Sequence, residues 1–478
     1  VAVKIIKLTP EQESCVNFRP DGELLVRGIP GAGKTTVIIE RALFLQKKGD
    51  QITTGPKVLL LTYNKALATY ITQMARSSKE EPVGALTFHG WGSSLLRESG
   101  ISNYRTTDDK PRFVKWAKNT INKYGNPDLP RVQAAKLSED RALLRFLSEE
   151  ITWIKSNDIK SRSEYLEIQR TGRGTQIQIT KSHRESIYDI YEKYQELLKS
   201  ERCIDFDDVA LLIIKNATRI PKDKMASHIL IDEAQDLSPA QFRAIKLMTA
   251  KSLTIAADKG QQIYRRHFTW KSVGIEIRGA RSKLLGITHR STKEIIQLAR
   301  SLQSHDKQLL ADEDFLPSQD PEGGGPKPEL IISDNLENEK NFVLRKVRQL
   351  KNVYPNDTIA IIAYSQDRLN EYENFLSQNK VGSIHIKSEE ANFLVPGVKL
   401  VTFHSSKGLE FEHVIVTGLQ DGKIPFGIMD PGDDPEAFKA TERKKLYVAM
   451  TRARLTLTLL AVAPISPFVN ELNPDLYR

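Results

Sequence analysis

Cysteine is nearly missing: Cys15 and Cys203 are the only two in 478 residues. A disulfide framework is thereby excluded, no Cys/His cluster has zinc spacing, and a reducing compartment fits. Also missing is any apolar run of about 18 or more residues, so no transmembrane helix is expected. The opening residues, Val-Ala-Val-Lys-Ile-Ile-Lys, lack the length and cleavage pattern of a signal peptide. A cytoplasmic setting without a membrane partner is the expectation, and Val1 in place of Met points to upstream loss or processing. Internal repeats are not seen. Acidic excess is lacking too: 70 Lys and Arg against 60 Asp and Glu leave a formal charge of +10. That sign favours polyanionic partners and says nothing of fold. The length suggests roughly two to four domains.

What is present begins at the apolar run Leu24–Val26, followed by Gly-Ile-Pro-Gly-Ala-Gly-Lys-Thr at 28–35 and a helical pattern through Val37, Ile38, Ile39 and Leu43. Strand, glycine turn and helix in this order are the form of a P-loop. Gly28, Gly31 and Gly33 lack Cβ, so backbone N–H groups can aim at an anion. The helix N-terminus adds its partial positive charge. Lys34 would reach the β- and γ-phosphates of ATP, and Thr35, with Thr36 beside it, would hold Mg²⁺. Further on, the apolar run Ile229–Ile231 ends in Asp232-Glu233-Ala234-Gln235-Asp236. An Asp at such a strand end can bind Mg²⁺ through water, and the next Glu can polarise the attacking water. The following strand ends at Ala257-Asp258, and Gln261 lies where it could sense the γ-phosphate.

Strands are predicted at Leu24–Val26, Val58–Thr62, Ala85–Phe88, His228–Asp232 and Leu253–Ala257. From about 97 to 200 strand-like runs give way to polar helical stretches such as Arg141–Lys155 and Arg184–Lys199, around a basic loop Arg170-Thr-Gly-Arg-Gly-Thr. A second α/β set is expected from 283, with strands at Leu284–Ile287, Leu330–Ile332, Ile359–Ala363, Val398–Phe403, Val414–Thr417 and Leu455–Ala461. Ser318–Pro328 reads as a breaker-rich linker.

The order of these motifs resembles the superfamily 1 helicases of the UvrD/Rep/PcrA group, over nearly the whole chain. Leu8-Thr-Pro-Glu-Gln12 resembles that family's Gln motif, which implies that Gln12 reads the adenine edge, and Arg41 falls where the family has an adenine-side arginine. Leu61-Thr-Tyr63-Asn64-Lys65 and Thr87-Phe88-His89 resemble the strand-end motifs that touch single-stranded DNA. Residues 232–236 match the second ATPase motif, and Asp258–Tyr264 resembles the third. His289-Arg290-Ser291, Val401–Phe411 (with His404 and Glu410) and Glu442–Ala453 resemble the fourth, fifth and sixth. The likeness implies that Arg290 and Arg452 contact the γ-phosphate, Arg452 as an arginine finger, and that Glu410 meets the ribose. Phosphoryl transfer itself asks for such a pair, because an inserted arginine stabilises charge spreading over the γ-oxygens.

Three positions depart from the group. His289 stands where a tyrosine stacks on adenine. Arg266 stands where a tryptophan stacks on a base; its guanidinium plane, Phe268 or Trp270 could supply the platform. Only a short connection joins the strand Ile359–Ala363 and its helix to Val398–Phe403, where the group carries a large inserted domain. Processive unwinding is therefore in more doubt than hydrolysis or translocation. Phosphate-binding charges and flat faces coincide at Tyr63, Asn64, Lys65, Phe88, His89, Trp91 and in Tyr264-Arg-Arg266-His-Phe268-Thr-Trp270.

The expectation is an α/β chain: two RecA-like P-loop domains with parallel sheets, the first formed by 1–96 and 201–282, the second by 283–478, and a helical insertion subdomain at 97–200. The expected activity is that of an ATP-driven single-stranded DNA translocase or helicase, 3′→5′ as in the group it resembles. The alternative is a nucleic-acid-dependent ATPase switch gating a partner such as a nuclease. Single-stranded or tailed duplex DNA is the expected partner, and nothing in the residues selects against RNA.

Overall fold

The computed structural model describes residues 8–478 apart from 77–82, 133–138, 171–176, 259, 261–269, 278, 289, 313–314, 316, 322, 387–391, 427–428 and 430–433. In chain order its strands are β1 (Gly22–Gly28), β2 (Val58–Thr62), β3 (Ala85–Thr87), β4 (Arg105–Thr107), β5 (Cys203–Asp205), β6 (Ala226–Ile231), β7 (Thr249–Ala257), β8 (Ser282–Leu285), β9 (Glu329–Ser333), β10 (Thr358–Ala363), β11 (Ser383–His385), β12 (Gly397–Thr402), β13 (Phe411–Leu419) and β14 (Ala453–Val462). Two six-stranded sheets carry the molecule, ordered β3-β2-β6-β7-β1-β8 and β11-β12-β10-β13-β14-β9. Every pairing within them is parallel.

Alternation along the strands explains why both faces of the first sheet are covered. Leu60 and Leu230 pack on one side with Ile38, Leu67 and Ile71 of the helices Lys34–Lys48 and Lys65–Arg76. Leu59, Leu61, Ile229 and Ile231 pack on the other with Trp91, Val209 and Phe242, from the helices Phe88–Glu98, Phe206–Lys215 and Pro239–Leu247. The first cluster continues into the second sheet through Phe403, Val401 and Ile362, so one apolar core spans both sheets. The polar site lies beside that shared core.

The strand read from the sequence as the start of the second α/β set is corrected here. β8 pairs with β1 in register Leu25↔Ser282 and forms the edge of the first sheet. Its apolar pattern announces a strand, but the sheet it joins is a tertiary choice. The predicted helical stretches become Glu139–Ser156 and Lys181–Ser200, joined by Lys110–Tyr124 and Arg162–Glu167 around a core of their own. The parallel pair β4–β5 clips the entry of this helical unit to its exit. No described helix is long and apolar enough to cross a membrane.

Candidate nucleotide and nucleic-acid sites

In open parallel sheets, ligands collect at the carboxyl ends of the strands. Here three adjacent strands, β6, β7 and β1, end in Asp232, Asp258 and the P-loop respectively. Gly31 (φ 75°) and Gly33 (φ 79°) hold left-handed conformations that a side chain resists. Space forbids one as well: a Cβ on Gly31 would lie 2.3 Å from Thr288 Oγ1, and one on Gly33 2.5 Å from Gln12 Nε2. Gly28, at the end of β1, offers its carbonyl to the lysine.

Lys34 Nζ donates to the carbonyls of Gly28 (2.9 Å) and Ile29 (2.8 Å) and to Asp258 Oδ2 (3.0 Å). Thr35 Oγ1 donates to Asp232 Oδ2 at 2.7 Å, and Thr36 is half-buried next to it. Glu233 holds a left-handed backbone (φ 53°), a strain that aims its carboxylate into the site. Gln235 Nε2 donates to Glu233 Oε2, while Gln235 Oε1 accepts from the Asp258 N–H at 3.0 Å. The two neighbouring carboxyls are pushed apart. Burial, with the charge of Glu233, raises Asp232 to about 6. Burial would raise Glu233 too, but Lys407, Lys34 and Arg452 outweigh it and hold that group below its ordinary value.

Lys407, Glu410 and Arg452 come from the side of the second sheet, and Arg290 from the connection that follows β8. Arg290 Nη2 is ion-paired with Glu410 Oε1. Its Nε and the Thr288 hydroxyl are buried with no hydrogen-bond partner among the described residues, against Gly31 of the P-loop. These orphaned donors and the oxygen pair Thr35–Asp232 suit a triphosphate with a hard cation. Lys407, 2% exposed, reaches Asp236 Oδ2 at 2.5 Å and Glu233 Oε2 at 3.7 Å. Arg452, 1% exposed, donates to the carbonyls of Val448 (2.8 Å) and Leu409 (3.2 Å). Burial, then the like charge of Arg290, lowers it to about 10, while Glu233, Glu410 and Asp258 pull the other way.

Two adenine-side expectations change. Arg41 is 1% exposed and spends its guanidinium on Thr254 Oγ1 and on the carbonyls of Cys15, Val16, Phe18 and Arg19. It clamps the end of the helix Pro10–Val16 and the residues after it from within. Gln12 is engaged at both ends: Oε1 accepts from the Thr9 N–H (3.0 Å) and Nε2 donates to the Ala32 carbonyl (3.0 Å). It braces the P-loop. His289 and Gln261 lie outside the described residues.

The strand-end residues divide. Tyr63 is half-buried, Lys65 exposed, and Asn64 Oδ1 caps the next helix by accepting from the Leu67 N–H at 2.8 Å. Phe88 is corrected from a base-stacking candidate to a core residue, 1% exposed and packed edge-on against Trp91, which is buried as well. Thr87 caps the helix beginning at Phe88, which turns that ring inward. His89 is half-buried, 3.3 Å from Gln241 Nε2, with its ring 5.1 Å from that of Phe206. Trp270 is half-buried and edge-on to Phe242; His404 is exposed. Tyr264, Arg266 and Phe268 lie outside the described residues.

Sequence reasoning missed Asp258 as the partner of Lys34, Lys407 as the partner of Glu233, and Phe206. Lys407 sits inside the fifth motif and Asp258 opens the third, so position within a motif was available as a signal. Phe206 follows a capping Asp and carries no signal that separates it from a core aromatic.

The N-terminal domain model of the UvrD/REP helicases matches residues 8–270, and the UvrD-like helicase C-terminal domain model matches 371–463. A probable DNA helicase from Mycoplasma pneumoniae is 23% identical, over 95% of this chain and 83% of that protein. DNA helicase IV of Escherichia coli is 25% identical, over 98% of this chain and 70% of its own length. The ATP-dependent DNA helicase PcrA of Staphylococcus aureus is 25% identical over 62% of this chain and 40% of its length. With family models matching from residue 8 to 270 and again from 371 to 463, the chain belongs to the UvrD/REP helicase family.

Proposed function

We propose that this chain hydrolyses ATP to move 3′→5′ along single-stranded DNA and to separate tailed duplexes. One observation carries the reading: Lys34, Asp232 and Glu233 of the first sheet meet Lys407 and Arg452 of the second, with Arg290 from the connection after β8, at one buried site. Nucleotide binding would draw Lys34 from Asp258 onto the β- and γ-phosphates. Glu233, held ionised, would take the proton of the attacking water. Arg290, whose Nε has no partner among the described residues, and Arg452 would stabilise charge on the γ-oxygens, which ties closure of the two domains to the presence of ATP. Mg²⁺, held by Thr35 and Asp232, would neutralise phosphate charge when bound. The strand would run past the carboxyl ends of β2 and β3, over Tyr63, Asn64, Lys65, His89 and Phe206, with Trp270 and His404 alongside.

The test is ATPase turnover with and without single-stranded oligonucleotide, beside strand displacement on duplexes with a 3′ or a 5′ tail. Stimulated turnover and displacement from the 3′-tailed duplex are expected. Turnover indifferent to single strands would refute the motor reading. Stimulation without displacement from either tail would move it toward a nucleic-acid-dependent switch acting on a partner such as a nuclease.

A further inference from the structure

A buried ionic cluster lies where the helical insertion meets the first domain, away from the nucleotide site. Asp205 ends β5 and caps the helix Phe206–Lys215 reciprocally with Asp208: Asp205 Oδ1 accepts from the Asp208 N–H and Asp208 Oδ2 from the Asp205 N–H, both at 3.0 Å. The remaining oxygen of Asp205 accepts from Lys155 Nζ (2.9 Å) and Tyr194 Oη (2.6 Å), with Lys110 Nζ at 3.3 Å. The remaining oxygen of Asp208 meets Lys155 (2.8 Å) and Gln195 Nε2 (3.1 Å). Lys110 further binds Asp207 at 2.6 Å and Thr152 at 2.7 Å. Three insertion helices thus converge on the first turn of a helix that belongs to the other core.

Burying ions in this way gives little net stability, because desolvation offsets most of the attraction. What such a network fixes is geometry. The residue next to the anchored Asp205 is Phe206, 46% exposed, its ring edge-on to His89 at 5.1 Å. Lys155 itself is fully enclosed, its ammonium 4.8 Å from the Tyr194 ring centroid. An exposed aromatic on the turn anchored by this network inherits its position from the insertion.

We propose that Lys155 and Tyr194 are positioning residues that hold Phe206 beside His89, so that the helical insertion sets part of the affinity for single strands through that ring. This rests on the proposed path of the strand over Phe206. Steady-state ATPase of the full chain, titrated with oligo(dT), tests it. Lys155→Met should raise the oligonucleotide concentration for half-maximal stimulation about ten-fold, the lower part of what one stacked base contributes. Turnover without oligonucleotide should stay unchanged, and Lys155→Arg should recover most of the loss. Tyr194→Phe, which deletes a single hydrogen bond and keeps the ring, should shift it about three-fold in a fully folded protein.

Phe206→Ala separates the two readings. In that background Lys155→Met should add nothing, since both act through the same ring. Fully additive effects, or an unshifted titration for Tyr194→Phe and Lys155→Met in folded protein, would overturn the positioning role. An unshifted titration for Phe206→Ala alone would instead remove Phe206 from the strand path, and this inference with it.

Discussion

Lys407 Nζ lies 3.7 Å from Glu233 Oε2, a cation from the second sheet against an acid from the first. Both are buried, and Lys407 is the largest cause holding the Glu233 carboxyl down against burial. Removing one member of such a pair leaves the other charge uncompensated, at about 3–5 kcal/mol. Lys407→Met should therefore lower kcat for ATP at least ten-fold while changing KM less, and Lys407→Arg should restore part of it. An unaltered kcat would show that Glu233 does not need this neighbour.

Glu233→Gln should lower turnover by about 10² to 10⁴, the usual weight of a general base, while nucleotide binding survives. Lys34→Ala should lose nucleotide binding along with turnover. Fluorescent-nucleotide titration beside ATPase rates distinguishes the two. Chelating Mg²⁺ should stop turnover and leave the thermal midpoint of the nucleotide-free protein in place. Near-normal rates in both variants would end the assignment of this site.

Phe88 and Phe206 should behave oppositely. Phe88→Ala opens a cavity in the first domain's core and should cost about 3–5 kcal/mol of stability. Phe206→Ala should leave the thermal midpoint nearly where it was and weaken oligonucleotide binding. Differential scanning calorimetry with a fluorescence-anisotropy titration checks both. A stability loss for Phe206→Ala as large as that of Phe88→Ala would place it among the core residues.

Acid should destabilise the first sheet through His228. The imidazole is buried in β6, sharing a hydrogen bond with Ser252 Oγ (2.7 Å) and placed 3.1 Å from the Asp50 carbonyl. Burial lowers its pKa below the ordinary 6.5. The unfolded chain takes up a proton near pH 6.5, and the folded chain does so only at lower pH. Stability is fully present above that point and falls as pH drops through it toward the depressed folded value. Melting temperatures from pH 8 to pH 5 should fall less in His228→Gln than in the parent; equal slopes would exclude this histidine as the cause.

The motifs were legible because their chemistry is local: glycines that free a turn, acids at the end of an apolar run, and a lysine at fixed distance from both. Strands of five or more residues showed in their apolar runs. β4, β5 and β11 carry no apolar run and leave no pattern, whereas β3, equally short, was legible. The membership of β8 was illegible, because Leu284 and Leu285 specify a strand without specifying its neighbour. Phe88 and Phe206 look alike in sequence; only packing sends one inward and the other out. Arg41 deceived for a related reason, since five backbone and hydroxyl acceptors around it exist only once the chain has folded. Lys407 meets Asp236 across 171 positions, beyond any local rule.

The pairing of β1 with β8 sets a condition on synthesis. On the ribosome, β1, β2 and β3 emerge early and then wait, their hydrogen-bonding rims open, while the helical unit with its private core condenses. β6 and β7 must arrive to fill the middle of the sheet, and Leu25 finds its outer neighbour only when Ser282 has left the exit tunnel. The glycine turn after β1 is made well before β8 and is among the last parts of this sheet to be secured, so a transcript cut short before β8 would yield a nascent product with that turn on an unguarded margin.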